Sequence, residues 1–272
     1  MKRTSILLIV IGVAAAVTSA GWWYYWPVYQ LHQAEKALAA NDLPRADALL
    51  QPLTSNARAR TLEARVLRRL AEGQVKARRW TDADDCYTRW LNLEPERLDA
   101  RLARAQARLA AARDDRGSID AAVADFREVL RRTPNDFDAH LALAQALLSD
   151  ARMSEARTEL LACQRLRPQR VEPLLGLATC AMEERRWDEA RALLRQALHL
   201  EPQSSRALTM LGDVCLRQER YAEAVPYFQQ VLRVDPQNRN AHLKLAQALR
   251  FSGRPDEARR EEELYQRQAP AN

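Results

Sequence analysis

The chain is poor in glycine, with 7 in 272 residues, and it has few β-branched runs. Both scarcities speak against a sheet protein. No HExxH, CxxC, GxSxG or phosphate-loop pattern occurs. Metal, nucleophilic and nucleotide chemistry therefore lack a constellation. No catalytic, cofactor-binding or metal-ligating residue is assigned, no cofactor is expected, and the chain is not expected to be an enzyme. Lysine is scarce too: 4 of the 42 basic residues, the rest being arginine. Against 36 acidic residues this leaves a net charge of +6, with the signs interleaved along the chain. Interleaved charge on helices marks a solvated surface. No basic block alternates with aromatics, so nucleic acid is not expected as a partner. Cysteine is limited to Cys86, Cys163, Cys180 and Cys215. Each falls inside a predicted helix, where cysteine acts as a small buried hydrophobe. Cys163 ends one segment and Cys180 opens the next, so in an oxidising compartment these two either join or stay apart as buried thiols.

What the chain has instead is a ladder of alanines: Ala46, Ala83, Ala122, Ala156, Ala190, Ala224 and Ala258, the last four steps all being 34 residues. Twelve residues after six of them stand Pro95, Pro134, Pro168, Pro202, Pro236 and Pro270. A fixed period of this size is the mark of a repeat built from two helices and a turn. Leu43, Trp80, Ile119, Met153, Trp187, Tyr221 and Pro255 each precede an alanine by three residues, with acids clustered between. Acids there suit the positive end of a helix. Each alanine thus marks the first turn of a second helix, and its small size predicts two helices crossing closely. Four residues on, the same face carries Leu50, Tyr87, Phe126, Leu160, Leu194 and Phe228. The residue before each proline is pushed out of the α region, which ends the helix.

The stretches Leu208-x2-Leu211-Gly212, Ala224-x3-Phe228 and Pro236, with the parallel Leu174-x2-Leu177-Ala178, Ala190-x3-Leu194 and Pro202, resemble the tetratricopeptide repeat family. The resemblance covers about residues 29–272. It implies an all-α chain: a right-handed α-solenoid of about seven helix-turn-helix repeats, near 29–57, 61–97, 98–136, 137–170, 171–204, 205–238 and 239–272. Stacked repeats share a continuous core, so 27–272 is expected to be one domain.

The N-terminus reads differently. Residues 6–26 carry no charge and are long enough to cross a hydrocarbon core of about 30 Å. A cytoplasmic stub at 1–4, a transmembrane helix over 5–26 and interfacial rings at Trp22, Trp23, Tyr24, Tyr25 and Trp26 are expected, with Lys2 and Arg3 inside. The other reading is a signal peptide cut near Thr18-Ser19-Ala20. Either places the repeats outside the cytoplasm, and the first places the chain in the inner membrane as a single-pass protein.

The third repeat is five residues long in excess, which fits the polar loop Arg113–Ser118. Its first helix carries an arginine stripe, Arg97, Arg101, Arg104 and Arg108. This is either a basic patch for an acidic partner or anionic lipid, or a set of cations paired with Asp125, Glu128 or the loop acids. His140 and His242 occupy matching places and are expected in the hairpin core rather than as ligands. Glu261-Glu262-Glu263 replaces an apolar residue in the last helix, as a capping repeat requires.

In this family the first helices line a concave groove. Mapped onto this chain, the resemblance places Leu102, Gln106, Leu141, Gln145, Leu175, Thr179, Thr209, Asp213, Leu243 and Gln247 there. Leucines with glutamines suit an extended peptide or helix. The implied function is a membrane-anchored scaffold binding proteins on the periplasmic side, for assembly or maturation of envelope complexes. The variants are a secreted binding module, or a non-catalytic subunit such as a cytochrome c maturation accessory protein.

Overall fold

The computed structural model describes residues 26–50, 60–112 and 117–267, and among these every regular element is an α-helix. The chain forms two compact units, Met1–Arg132 and Thr133–Asn272. The first holds α1 (26–39), α2 (Leu43–Leu50), α3 (Arg60–Lys76), α4 (Trp80–Leu93), α5 (Leu98–Ala111) and α6 (Gly117–Arg132). The second holds α7 (Phe137–Ser149), α8 (Met153–Leu166), α9 (Val171–Glu183), α10 (Trp187–Leu200), α11 (Ser205–Arg217), α12 (Tyr221–Val234), α13 (Arg239–Phe251) and α14 (Pro255–Arg267). Within each unit, helices consecutive in the chain pack together from α2 to α6 and from α7 to α14. The first helices α7 and α9 also touch.

The expected alanines do sit where helices cross. Ala46, Ala83, Ala122, Ala156, Ala190, Ala224 and Ala258 are all buried, with Leu50, Tyr87, Phe126, Leu160, Leu194 and Phe228 beneath them. A second small-residue row lies on the first helices: Ala34, Ala71, Ala105, Ala144, Ala178, Gly212 and Ala246. Close packing leaves no room there for anything larger. In the first unit one apolar core runs from Leu31 to Ala107.

Six hairpin turns among the described residues obey one rule. Asn41, Arg78, Ala151, Arg185, Glu219 and Gly253 hold φ between 57° and 83°. The next residue then sends its N–H back five places, as in Arg186 N to Ala181 O (2.7 Å) and Arg254 N to Leu249 O (2.9 Å). This left-handed closure satisfies carbonyls that the helix end would orphan. Second helices stop one or two residues before their prolines, α8 at Leu166 before Pro168 and α10 at Leu200 before Pro202.

The membrane placement is corrected. The expected span at 5–26 lies outside the described residues except for Trp26, as do Trp22, Trp23, Tyr24 and Tyr25. No helix among the described residues is long and apolar enough to cross a membrane. The single-pass inner-membrane location therefore has no described helix to stand on. Trp26 itself belongs to α1, its ring stacked on Tyr29 with centroids 6.1 Å apart. Pro27 lies within that helix.

Candidate functional site

The ten residues expected to line a groove divide between the two units. Leu102 and Gln106 lie on α5 in the first, and the other eight lie on α7, α9, α11 and α13 in the second. Each pair is four residues apart, so both members leave one helix face. Gln106, Gln145, Leu243 and Gln247 are exposed. Leu102, Leu141, Thr179, Thr209 and Asp213 are half-buried. Leu175 is only 5% exposed and belongs to the core, so it lines no open surface. Two of the polar members already have partners. Thr179 Oγ1 donates to Leu175 O at 3.0 Å, and Lys244 Nζ donates to Asp213 Oδ2 at 2.6 Å. Thr209 takes the repeat position of Leu175 and Leu243, 34 residues from each.

The arginine stripe of α5 is turned onto the protein's own acids. Asp125 on α6 is 4% exposed and takes both forks of Arg104, Nε at 2.8 Å and Nη2 at 2.6 Å. Arg108 donates to Asp125 at 2.8 Å through Nη1 and to Asp84 at 2.8 Å through Nε. Arg101 stands 3.5 Å from Asp125 and also donates to Pro95 O at 3.1 Å. Arg104 Nη1 adds a bond of 3.2 Å to Thr88 Oγ1. Planar bidentate pairs of this kind are the strong ones. Arg97 stands apart from this network, on Asp99 at 2.7 Å and over the Trp90 ring at 5.4 Å. Its hydrogen bond holds the Asp99 carboxyl below the usual carboxylate range.

Sequence inspection missed one recurring contact. His140 Nδ1 lies 2.6 Å from Glu159 Oε2, with Nε2 2.9 Å from Pro134 O. His242 repeats this with Glu261 at 2.6 Å and Pro236 O at 3.1 Å. In both, the acid follows the base by 19 residues. Arg101 and Asp125 are 24 apart, which is the same register lengthened by the five-residue insertion. At that register the intervening hairpins pack Leu174 near Leu193 and Leu208 near Tyr227. The repeat spacing between a base and an acid was the signal. Glu261 and Glu262 are accordingly engaged by His242 and Arg250, beyond any role as a polar outer face.

The cysteines are free and buried. Cys163 Sγ donates to Phe137 O and Cys180 Sγ to Met153 O, each at 3.7 Å, so the two thiols address different helices. Among the described residues no group of three or more His, Cys, Asp or Glu side chains could hold a metal ion.

The fold recurs in solved structures. A tetratricopeptide repeat protein from Parabacteroides merdae matches with TM-score 0.64 and 14% identity, over 90% of this chain and 93% of that one. Pseudomonas aeruginosa PilF matches with TM-score 0.62 and 17% identity, over 79% of this chain and 95% of its own. YrrB, described as a tetratricopeptide repeat protein with an unusual peptide-binding site, matches with TM-score 0.51 and 15% identity, over 68% and 93%. At these identities the likeness shows the fold alone. No curated protein matches the chain in sequence. The model of one family, described as the tetratricopeptide repeat protein 21 C-terminal ARM domain, matches residues 88–251, more than half of the chain, and the chain belongs to that family.

Proposed function

We propose that this protein is a non-catalytic scaffold whose first-helix faces bind other proteins or peptides. The observation that carries the reading is the two-sidedness of the first helices. On α13, Ala241, Leu245, Ala246, Ala248 and Leu249 are 2% exposed or less, while Leu243 on the other side is 44% exposed and Gln247 lies open beside it. A leucine left uncovered next to an amide, repeated in weaker form by Leu141 and Gln145 on α7, suits a partner backbone with apolar side chains. YrrB supports the reading as a protein of the same fold whose description includes a peptide-binding site. Leu102 and Gln106 offer the same chemistry on the first unit, and Leu141 with Gln145 and Leu243 with Gln247 offer it on the second.

The test is a crosslinking pull-down with the full chain, comparing wild type with the double variant Leu141→Arg and Leu243→Arg. Partners captured by wild type and lost by the variant, with the thermal midpoint unchanged, support the reading. Partners that survive both changes would sink it.

A further inference from the structure

The charges on the four first helices of the second unit define the partner's chemistry. Nearly every cation on α7, α9, α11 and α13 is already engaged. Arg239 donates to Tyr265 O and lies 4.1 Å over that ring, Lys244 holds Asp213, and Arg250 holds Glu262. His140 and His242 are bound to Glu159 and Glu261. Arg206 and Arg217 are the exceptions: both are exposed, and neither has an ion pair or hydrogen bond among the described residues. They stand at the two ends of α11, eleven residues and three turns apart, so both leave the same face with bases roughly 16 Å from each other. Thr209 and Asp213 fall between them on that face.

The neighbouring first helices carry the opposite sign at the matching places. Glu183 on α9 and Asp138 on α7 are exposed and unpaired, and Glu172 is held by Arg170. The face thus changes from acidic to basic between α9 and α11. We propose that α11 receives an acidic peptide segment, its carboxylates on Arg206 and Arg217 and an apolar side chain on Leu243, while Asp138 and Glu183 keep that segment off α7 and α9. Arginine forks match carboxylates in geometry as well as charge. A separation of about 16 Å is covered by roughly five residues of extended chain. Charges at a binding rim set orientation and partner choice more than total affinity. This assignment rests on the first-helix reading above.

The experiment is a fluorescence-anisotropy titration of the full chain with a short fluorescein-labelled peptide of alternating glutamate and leucine, beside its lysine-leucine counterpart. Wild type is expected to prefer the acidic peptide, with binding that weakens as salt rises. Arg206→Glu with Arg217→Glu is expected to weaken it about tenfold and to reverse the preference. Both positions are exposed, so the variant keeps its fold. Equal affinity for the two peptides, no binding of the acidic one by wild type, or no change in the variant overturns the proposal. Leu141→Ser with Leu243→Ser separates the two readings. Acidic-peptide binding that needs the arginines but survives this change keeps the charge assignment and removes the apolar face. Binding lost here but indifferent to the arginines keeps the apolar face and overturns the charge assignment.

Discussion

Phe228 of α12 presses its ring against the backbone of Gly212 on α11, so closely that a Cβ added at Gly212 would stand 2.5 Å from Cζ. At this distance an alanine fits only if the ring or one of the helices shifts. Gly212→Ala raises helix propensity by about 1 kcal/mol, yet overpacking at a fully buried ring outweighs that. Ala71 and Ala105 coexist with Tyr87 and Phe126 at the same register, so a hairpin can open enough to admit both, and the net loss should be only about 1–2 kcal/mol. Adding Phe228→Leu, the pairing that Ala178 and Leu194 already use, should recover part of it. Urea unfolding of the two single variants and the double variant measures the coupling. Additive losses would mean that the two residues do not share one space.

Asp125 is the shared anion of Arg101, Arg104 and Arg108, and only 4% of it meets solvent. Asp125→Asn leaves the guanidinium groups facing one another without their anion. Removing one partner of a fully buried pair costs about 3–5 kcal/mol. Here the arginines keep some water, with side chains 13% to 23% exposed, so a loss of about 2–3 kcal/mol is expected. Asp84→Asn removes a single ion pair from a more open site and should cost less than half as much. Chemical denaturation of both variants ranks them, and equal losses would show that the shared carboxylate is not the centre of the network.

These two cases also show what the sequence made legible. The alanine and proline ladders announced second helices and their ends, because a small residue at a crossing and a missing N–H are local constraints that recur at each period. Gly212 was visible only as part of the family motif, and its contact with Phe228 came from the structure. The arginine stripe was visible, but its direction was not. Whether Arg104 faces solvent or Asp125 depends on how α5 rotates against α6, and the insertion before α6 hid the 19-residue register that His140 and His242 share with their glutamates. The groove residues were named from the family pattern. Leu175 failed because α9 is apolar on more of its circumference than its neighbours, burying nine of thirteen residues. The charge reversal between α9 and α11 needed the ion pairs themselves, since sequence cannot say which arginine is already taken.

Burial pushes the Cys86 thiol up to about 12 and the Cys163 thiol likewise to about 12, from an ordinary 9.0. A thiol kept neutral in the fold and free to ionise in the unfolded chain contributes stability fully below pH 9. That contribution is lost as pH rises through 9 toward 12. The slope is up to about 1.4 kcal/mol per pH unit for each thiol. Urea midpoints at pH 8, 9.5 and 10.5 should therefore fall more steeply for wild type than for Cys86→Ala with Cys163→Ala, although the variant starts lower because of its cavities. Parallel slopes would contradict the burial effect. In the folded state the thiols should also resist a disulfide reagent at pH 8, and all four should react on unfolding.

Ala151 and Gly253 occupy the same place in two hairpin turns, with φ of 58° and 83°. An L-residue in this region crowds its Cβ against the following carbonyl, at roughly 1 kcal/mol. Ala151→Gly relieves that strain but gives the unfolded chain more freedom to lose, so the gain should be about 0.5 kcal/mol or slightly less. Gly253→Ala runs the opposite way. A Cβ there would meet nothing within 4 Å, so the cost is purely one of backbone conformation and should be about 1 kcal/mol. Thermal or urea unfolding of the two variants should move the midpoint in opposite directions. A shift of the same sign in both would mean that the turn tolerates left-handed backbone without strain, because the five-place hydrogen bond after it, Arg152 N to Leu147 O at 2.9 Å in one hairpin and Arg254 N to Leu249 O at 2.9 Å in the other, holds the conformation whatever residue sits there.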